Sequence, residues 1–169
     1  SGLMEPAKVL ASDPNPERRS VLASLGISVS ERNDGFADCD MIILAVKPQV
    51  LLTVLGEMAS TMPAEAVLVS IAAGVRTCAI AAHVSDGLRV VRVMPNTPML
   101  VGQGMSGVAA GPRATKADVE QVLTLFRAAG DAVAVSEDQL DALTAVSGSG
   151  PAYVFRFVEA LTAAGERSG

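Results

Sequence analysis

Asn96 and Thr97 stand between Pro95 and Pro98, so two side chains with hydrogen-bond donors and acceptors are held in a stiff segment. Just before them Val90, Val91, Val93 and Met94 form a β-branched-rich apolar run, which reads as a buried strand that Pro95 ends. In open α/β sheets the carboxyl end of a strand is where ligands bind. The alternative is that both residues are ordinary turn residues. Ala72-Ala73-Gly74 is a second candidate, because small side chains let a backbone approach a ligand closely. At Ser12-Asp13-Pro14-Asn15 an acid at the tip of a strand favours a ribose with a free 2′-hydroxyl, whereas Ser12 and Asn15 can face a 2′-phosphate. Asp13 can equally serve only to cap the turn that follows.

Other chemistries have little to work with. His83 is the single histidine and follows Ala81 and Ala82, a setting that suits a helix surface better than a general base. Cys39 and Cys78 are too isolated for a disulfide framework or a metal site and read as small buried residues of a reducing compartment. A formal net charge of -5, a pI of about 4.8 and no Lys/Arg cluster argue against a nucleic-acid partner. No apolar run reaches the roughly 18 residues that a membrane span needs, and no basic patch precedes an apolar core as in a secretory signal. The cytoplasm is the default expectation.

These residues need elements to hold them. The 169 residues suit one domain plus the start of another. Half are hydrophobic and only 3% aromatic, so the core must be built from Ala, Val, Leu, Ile and Met, which favours α/β layering. Lys8 to Ser12 reads as a strand, Glu17 to Ser24 as a helix stopped by Gly26, and Ile27 to Ser30 as a second strand. Asn33-Asp34-Gly35 follows as a turn or helix cap. Asp40 to Val46 is a continuous apolar run of the parallel-sheet kind. Pro48 then suits the first position of an amphipathic helix carrying Val50, Leu51, Val54, Leu55 and Met58. Ala66 to Ile71 is another strand, and Thr77 caps a short helix through Ala82. Gly102 to Ala110 reads as one more strand, Thr115 as the cap of a helix with Val119, Val122, Leu123 and Phe126 on one face, and Ala132 to Val135 as a strand at the sheet's far edge. From Glu137 the pattern turns helical, with Ser147 to Pro151 interrupting and Ala152 to Ala164 as a second helix. A boundary near Ser136 is expected: residues 1–136 as a cofactor-binding domain and 137–169 as the start of a helical one.

Taken together, Ala45-Val46-Lys47-Pro48, Ser70-Ile71-Ala72-Ala73-Gly74, Arg92-Val93-Met94-Pro95-Asn96-Thr97-Pro98 and Ala145-Val146-Ser147-Gly148-Ser149-Gly150-Pro151-Ala152-Tyr153 resemble pyrroline-5-carboxylate reductase, in that family's order and spacing. The resemblance implies a Rossmann-type dinucleotide-binding domain followed by an all-helical dimerisation domain. The implied reaction moves a hydride from NADPH, or from NADH, to the imine carbon of 1-pyrroline-5-carboxylate and gives L-proline. The implied assembly is a homo-oligomer built on a homodimer, with neither nucleic acid nor membrane as partner. Such a reaction needs a dry site and a cofactor face held against the ring, but no metal and no covalent nucleophile; no catalytic side chain is assigned.

By the same resemblance Asn33, Ala45, Val46, Lys47, Pro48, Ala72 and Ala73 line the cofactor, Ser12 and Asp13 meet its adenosine end, and Asn96 and Thr97 flank the nicotinamide, Thr97 on the substrate side. Lys47 either offers charge to a phosphate or ribose or is a solvated lysine at a helix start. Ser147, Gly148, Ser149 and Gly150 open a helix whose free N–H groups favour a substrate carboxylate, unless the glycines only permit close packing. Glu137 falls near the substrate pocket. Asp13 argues for the unphosphorylated cofactor by repulsion, while Ser12, Asn15 and Arg18 accommodate a 2′-phosphate; the family leans to the phosphorylated form.

Two family features are missing from the sequence: the opening strand with its G-x-G-x-x-G-type loop, and the Ser-Pro-Gly-Gly-Thr-rich segment among the closing helices. Ser1 to Glu5 reads as the tail of that first helix. The sequence is therefore expected to be a portion of a longer protein, and as a whole polypeptide it would lack reductase activity and tight cofactor binding. Loss of the first strand should leave two strand edges unpaired. Two other readings stay open: another NAD(P)-dependent reductase such as a hydroxyacid dehydrogenase, which normally carries a lysine where Ala152 to Gly169 has none, and a non-catalytic nucleotide-binding or oligomerisation remnant.

Overall fold

The computed structural model describes residues 2–84 and 87–169. Its strands are β1 (Leu10–Ser12), β2 (Ser28–Ser30), β3 (Met41–Leu44), β4 (Val67–Ser70), β5 (Arg89–Met94), β6 (Gly104–Ala110) and β7 (Gly130–Ala134). The helices are α1 (Pro16–Ser24), α2 (Pro48–Met58), α3 (Thr77–Ala81), α4 (Lys116–Arg127), α5 (Gln139–Leu143) and α6 (Gly150–Ser168). The expected helix tail at the start is corrected: Gly2 to Glu5 are not helical and lead into a short 3-10 turn, Pro6–Lys8, while Ser1 lies outside the described residues. No helix follows Asn33-Asp34-Gly35, so the helix-cap reading does not hold; the chain bends at Asn33 and turns at Ala37 and Asp38.

Strands β3 to β7 form one sheet in that order, and β1 pairs with β2 in a separate parallel ladder. A doubly wound sheet places one strand between such a pair and the next strands; among the described residues none hydrogen-bonds to both β1 and β3. The β3, β4 and β5 chains run parallel, so their carboxyl ends share one edge. Between β5 and β6 only residues 95–103 intervene, too few for a crossover, and β6 accordingly runs antiparallel. The edge position expected for Ala132 to Val135 holds, as β7 pairs parallel with β6 alone.

Side chains alternate between two apolar layers. Leu68 and Val90 point toward Leu51, Leu55 and Ile80, whereas Val69, Val91 and Val93 point toward Val122, Leu123 and Phe126. Helix α4 starts with a capping box in which Thr115 and Asp118 satisfy each other's backbone N–H groups. Glycine sets two close approaches. A Cβ at Gly107 would lie 2.9 Å from both Leu140 and Leu143, so α5 can seat directly on β6. At Gly148 it would lie 3.0 Å from Met94 Cε, whereas at Gly150 it would meet nothing within 4 Å. The close-packing reading thus holds for Gly148 and not for Gly150.

The expected interruption at Ser147 to Pro151 is corrected. A π-helical turn, Thr144–Gly148, carries α5 into α6, and the Ser149 amide donates to Thr144 O at 2.8 Å. That amide is consequently not a free donor for an anion. Proline explains the need: Pro151 has no N–H to offer the carbonyl four residues back, and its ring crowds that turn.

Candidate functional site

Each of the three parallel strands ends in a different kind of tip. Strand β3 ends at Ala45 and Val46, and Lys47 then sits at the N-cap of α2 without a capping bond from its side chain, exposed together with Ala45 and Pro48. Strand β4 passes Ser70, whose Oγ accepts from Ala72 N (3.3 Å), and leads to buried Ala72 and exposed Ala73. Strand β5 ends at Asn96 and Thr97. Asn96 is half-buried and Thr97 is exposed at the start of a 3-10 turn, Thr97–Val101. Parallel pairing puts these tips on one edge, lined by small, apolar or amide side chains.

Asn96 is the knot of this edge. Its Nδ2 donates to Ser147 Oγ at 2.9 Å and lies 3.4 Å from Ser147 O, and its Oδ1 accepts from Met105 N at 2.8 Å. Ser147 O is the very carbonyl that Pro151 cannot serve, so an amide from the β5 tip takes over where the helix ladder fails. The expected cofactor neighbour Asn96 and the expected substrate neighbour Ser147 are therefore in direct contact. Ser149 and Gly150 are partly buried beside them.

Glu137 is engaged where the β4 tip runs into α3. One carboxylate oxygen accepts from Thr77 N (2.7 Å), the other from Thr77 Oγ1 (3.0 Å), and Arg92 Nη1 lies 3.5 Å away. The cap assigned to Thr77 is corrected: the N-cap of α3 is Arg76, Thr77 is the first helical residue, and its hydroxyl donates outward to Glu137 while its own amide, one of the unpaired donors of the first turn, donates to the same carboxylate. Arg92 is nearly enclosed, its side chain 3% exposed, with Asp141 3.8 Å from its other nitrogen. Arg76 flanks Glu137 at 3.9 Å and pairs with Asp138, whose carboxylate pushes the guanidinium still higher above its ordinary pKa. Sequence reasoning missed Arg92, although a charge in the middle of an apolar strand is itself a signal, since a buried charge needs a partner.

A third group forms at β1 and β2. Ser12 Oγ donates to Asn33 Oδ1 (2.7 Å), and Asn33 Nδ2 donates to Glu57 on α2 (2.7 Å). Asp13 is spent locally: its carboxylate accepts from Asn15 N at 2.8 Å and pairs with Arg18 at 3.7 Å. Asn15 caps α1 through Glu17 N and Arg18 N. With its charge met by Arg18, Asp13 repels an anion less than its position in the sequence suggests. Arg18 and Arg32 stay largely exposed next to Ser12. An open polar depression bounded by Gly102 to Gly104 and by Arg127, Ala128, Gly130 and Asp131 lies beside the strand tips and contains none of the expected site residues.

Known proteins are similar to this chain in sequence and fold. The family description "Pyrroline-5-carboxylate reductase dimerisation" matches residues 137–169, and "NADP oxidoreductase coenzyme F420-dependent" matches residues 1–74. The chain is 43% identical over 166 residues to pyrroline-5-carboxylate reductase of Pseudomonas aeruginosa, covering 96% of this chain and 61% of that protein. Its identity to the Escherichia coli enzyme of the same name is 37% over 163 residues, 95% of this chain and 61% of that protein. Among solved structures, Plasmodium falciparum pyrroline carboxylate reductase with NADP bound superposes with a TM-score of 0.87 at 29% identity, over 99% of this chain and 62% of that one. Prephenate dehydrogenase from Aquifex aeolicus, at 16% identity and a TM-score of 0.71, shares the fold. The chain thus spans about three-fifths of the length of the curated relatives it matches.

Proposed function

Across nearly all of its residues the chain is a relative of the pyrroline-5-carboxylate reductases, and from that premise we propose that it is the dinucleotide-binding portion of an enzyme that reduces 1-pyrroline-5-carboxylate to L-proline, the last step of proline biosynthesis. The observation that carries this reading is the Asn96 to Ser147 contact at 2.9 Å, which joins the carboxyl edge of a parallel sheet to the turn that opens α6. A hydride donor stretched along the edge and a small acid held by that turn would meet there.

The residues present fit a nicotinamide dinucleotide. Ala45, Val46, Ala72 and Ala73 leave the edge low enough for a flat ring or a pyrophosphate to lie against backbone. Asn33, fixed in orientation by Ser12 and Glu57, faces the adenosine end. Arg18, paired with Asp13 at 3.7 Å, and Arg32, paired with Asp34 at 2.7 Å, are exposed near Ser12 and can turn to a 2′-phosphate, which supports NADPH over NADH. Lys47 and Pro48 bound the edge at the start of α2. When bound, the cofactor supplies a hydride to the imine carbon, whose nitrogen carries the proton.

The chain's own contribution is placement. Asn96 holds the β5 tip and the Ser147 turn at a set separation, Thr97 and Gly148 to Gly150 flank the place for the ring and its carboxylate, and apolar Val46 and Met94 keep water from the edge. Residues 1–136 serve as the cofactor domain and 137–169 as the beginning of the helical one. The helical segment is where one copy associates with another, which the exposed apolar residues of α6 support. No helix among the described residues is long and apolar enough to cross a membrane, and the free thiols of Cys39 and Cys78 suit the reducing cytoplasm. The test is loss of NADPH absorbance on adding 1-pyrroline-5-carboxylate to the complete enzyme of which these residues form the dinucleotide-binding portion, with proline identified as product. Absence of turnover together with absence of NADPH binding overturns the proposal.

A further inference from the structure

Glu137 stands one residue before the N-cap of α5, yet its carboxylate is used sixty residues back in the chain. Both oxygens are occupied by Thr77, one by the amide and one by the hydroxyl, and Arg92 approaches at 3.5 Å. Helix α3 has no capping bond from its own N-cap, Arg76, so the distant carboxylate does that work. Thr77 is itself wedged. It is 3% exposed, and a Cβ on Gly111 would come within 2.6 Å of it.

The span between Ser70 and Thr77 is the β4 tip, Ile71 to Arg76. Ser70 Oγ fixes its beginning by accepting from Ala72 N, and Glu137 fixes its end at Thr77. Beyond Glu137 the chain continues through α5 and the π-helical turn to Ser147, which Asn96 holds. One carboxylate therefore ties the cofactor-facing loop of the sheet to the helical segment facing it. Arg92 supplies the countercharge beside Glu137, only 18% of whose side chain is exposed.

We propose that Glu137 is a positioning residue: by capping α3 through Thr77 against the Arg92 guanidinium, it sets the height of the Ile71–Arg76 loop beneath the dinucleotide and relative to the Ser147 turn. With both oxygens engaged by Thr77 it acts through that residue rather than on the substrate. This inference rests on the cofactor edge proposed above.

The test compares Glu137→Ala, Glu137→Gln, Thr77→Val and Thr77→Ser in the full chain. Glu137→Ala and Thr77→Val each raise KM for NADPH about tenfold, the effect expected for losing a hydrogen bond to a charged group, and leave KM for the imine substrate unchanged. Combined, the two changes cost no more than the larger one alone, because they break one interaction. Thr77→Ser, which keeps the hydroxyl, restores the wild-type KM, and Glu137→Gln falls between. A raised imine KM in Glu137→Ala with Thr77→Val silent would show that Glu137 contacts substrate and overturns the inference. So does a lowered Tm with no change in either KM, which would mark the clamp as structural only. Amide exchange at Thr77 separates this inference from the functional reading: wild-type protein without turnover sinks the reductase assignment, whereas unchanged exchange at Thr77 in Glu137→Ala sinks the clamp alone.

Discussion

Leu68, Val90 and Val91 at the middle of the sheet are fully enclosed, whereas α6 has no buried residue at all and leaves Tyr153, Phe155 and Phe157 each more than 60% exposed. Both regions are rich in apolar side chains, but only the first is satisfied by the chain itself. Strands β4 and β5 are covered on both faces, by α2 and α3 on one and by α4 on the other. Helix α6 presents large side chains around most of its circumference, and apolar area left in water on that scale marks an interface rather than a core. The first region explains why the site edge is rigid, and the second why the protein should not act as a single copy.

The sharpest way to break the comparison is to shave one large side chain from each region. Leu51→Ala should destabilise the fold by about 3 kcal/mol, since Leu51 has no exposed surface and its cavity cannot collapse onto solvent. Phe155→Ala should change the unfolding free energy of an isolated copy by less than about 0.5 kcal/mol while shifting the association equilibrium toward monomer. Denaturant unfolding reads the first and sedimentation equilibrium the second. Equal unfolding losses at both positions would mean that α6 packs on its own chain.

Charges should divide in the same way. Asp118 is 2% exposed, bonds to Arg89 at 2.7 Å and completes the Thr115 capping box, so Asp118→Ala should cost about 3 kcal/mol by stranding Arg89 and opening the helix start. Arg156 and Glu159 form a pair on the exposed face of α6, and Arg156→Ala should cost about 0.3 kcal/mol at most. At the boundary between the regions, Asn96→Ala should lower kcat at least tenfold, because it frees Ser147 and the amide of Met105 together. Thr97→Ala, on an exposed side chain, should affect kcat less than Asn96→Ala.

The sequence was legible where a local pattern decides the outcome. Strands β3 and β4 follow from apolar runs and β5 from a β-branched-rich one that Arg92 interrupts, the start of α2 from Pro48, and the cap of α4 from Thr115. It was opaque where the partner lies far along the chain. Nothing near Thr77 announces that its hydroxyl serves a carboxylate at Glu137, and nothing near Ser147 announces that Asn96 will take the carbonyl abandoned by Pro151. The π-helical turn was hidden for the same reason. Glycines and a proline read as an interruption, whereas the widened turn carries the helix past Pro151 and the long-range bond from Asn96 meets the carbonyl left open there. The antiparallel direction of β6 could have been foreseen, since the connection through residues 95–103 is too short for a crossover.

The smallest expected effect concerns the two thiols, one from each kind of environment. The expectation that both are buried is corrected: Cys39 is partly buried against the core layer of Phe36 and Ile42, while Cys78 lies exposed on α3, whose buried positions are Thr77 and Ile80. Burial, followed by the negative charges of Asp38 and Asp40, pushes the Cys39 pKa up. The reactive species is the thiolate, so a raised pKa keeps Cys39 protonated at neutral pH and delays its alkylation to pH values above the ordinary thiol range. Maleimide at neutral pH should therefore label Cys78 first, as read by peptide mass analysis, with Cys39 following only as the pH rises. Salt should speed the slow thiol slightly, because screening weakens the share of the shift that comes from Asp38 and Asp40 and leaves the burial share untouched. If Cys39 reacted as fast as Cys78 at neutral pH, the layer of Phe36 and Ile42 would be opening to solvent. The contrast between an enclosed sheet and an uncovered helix would then hold for α6 but fail at the β3 edge.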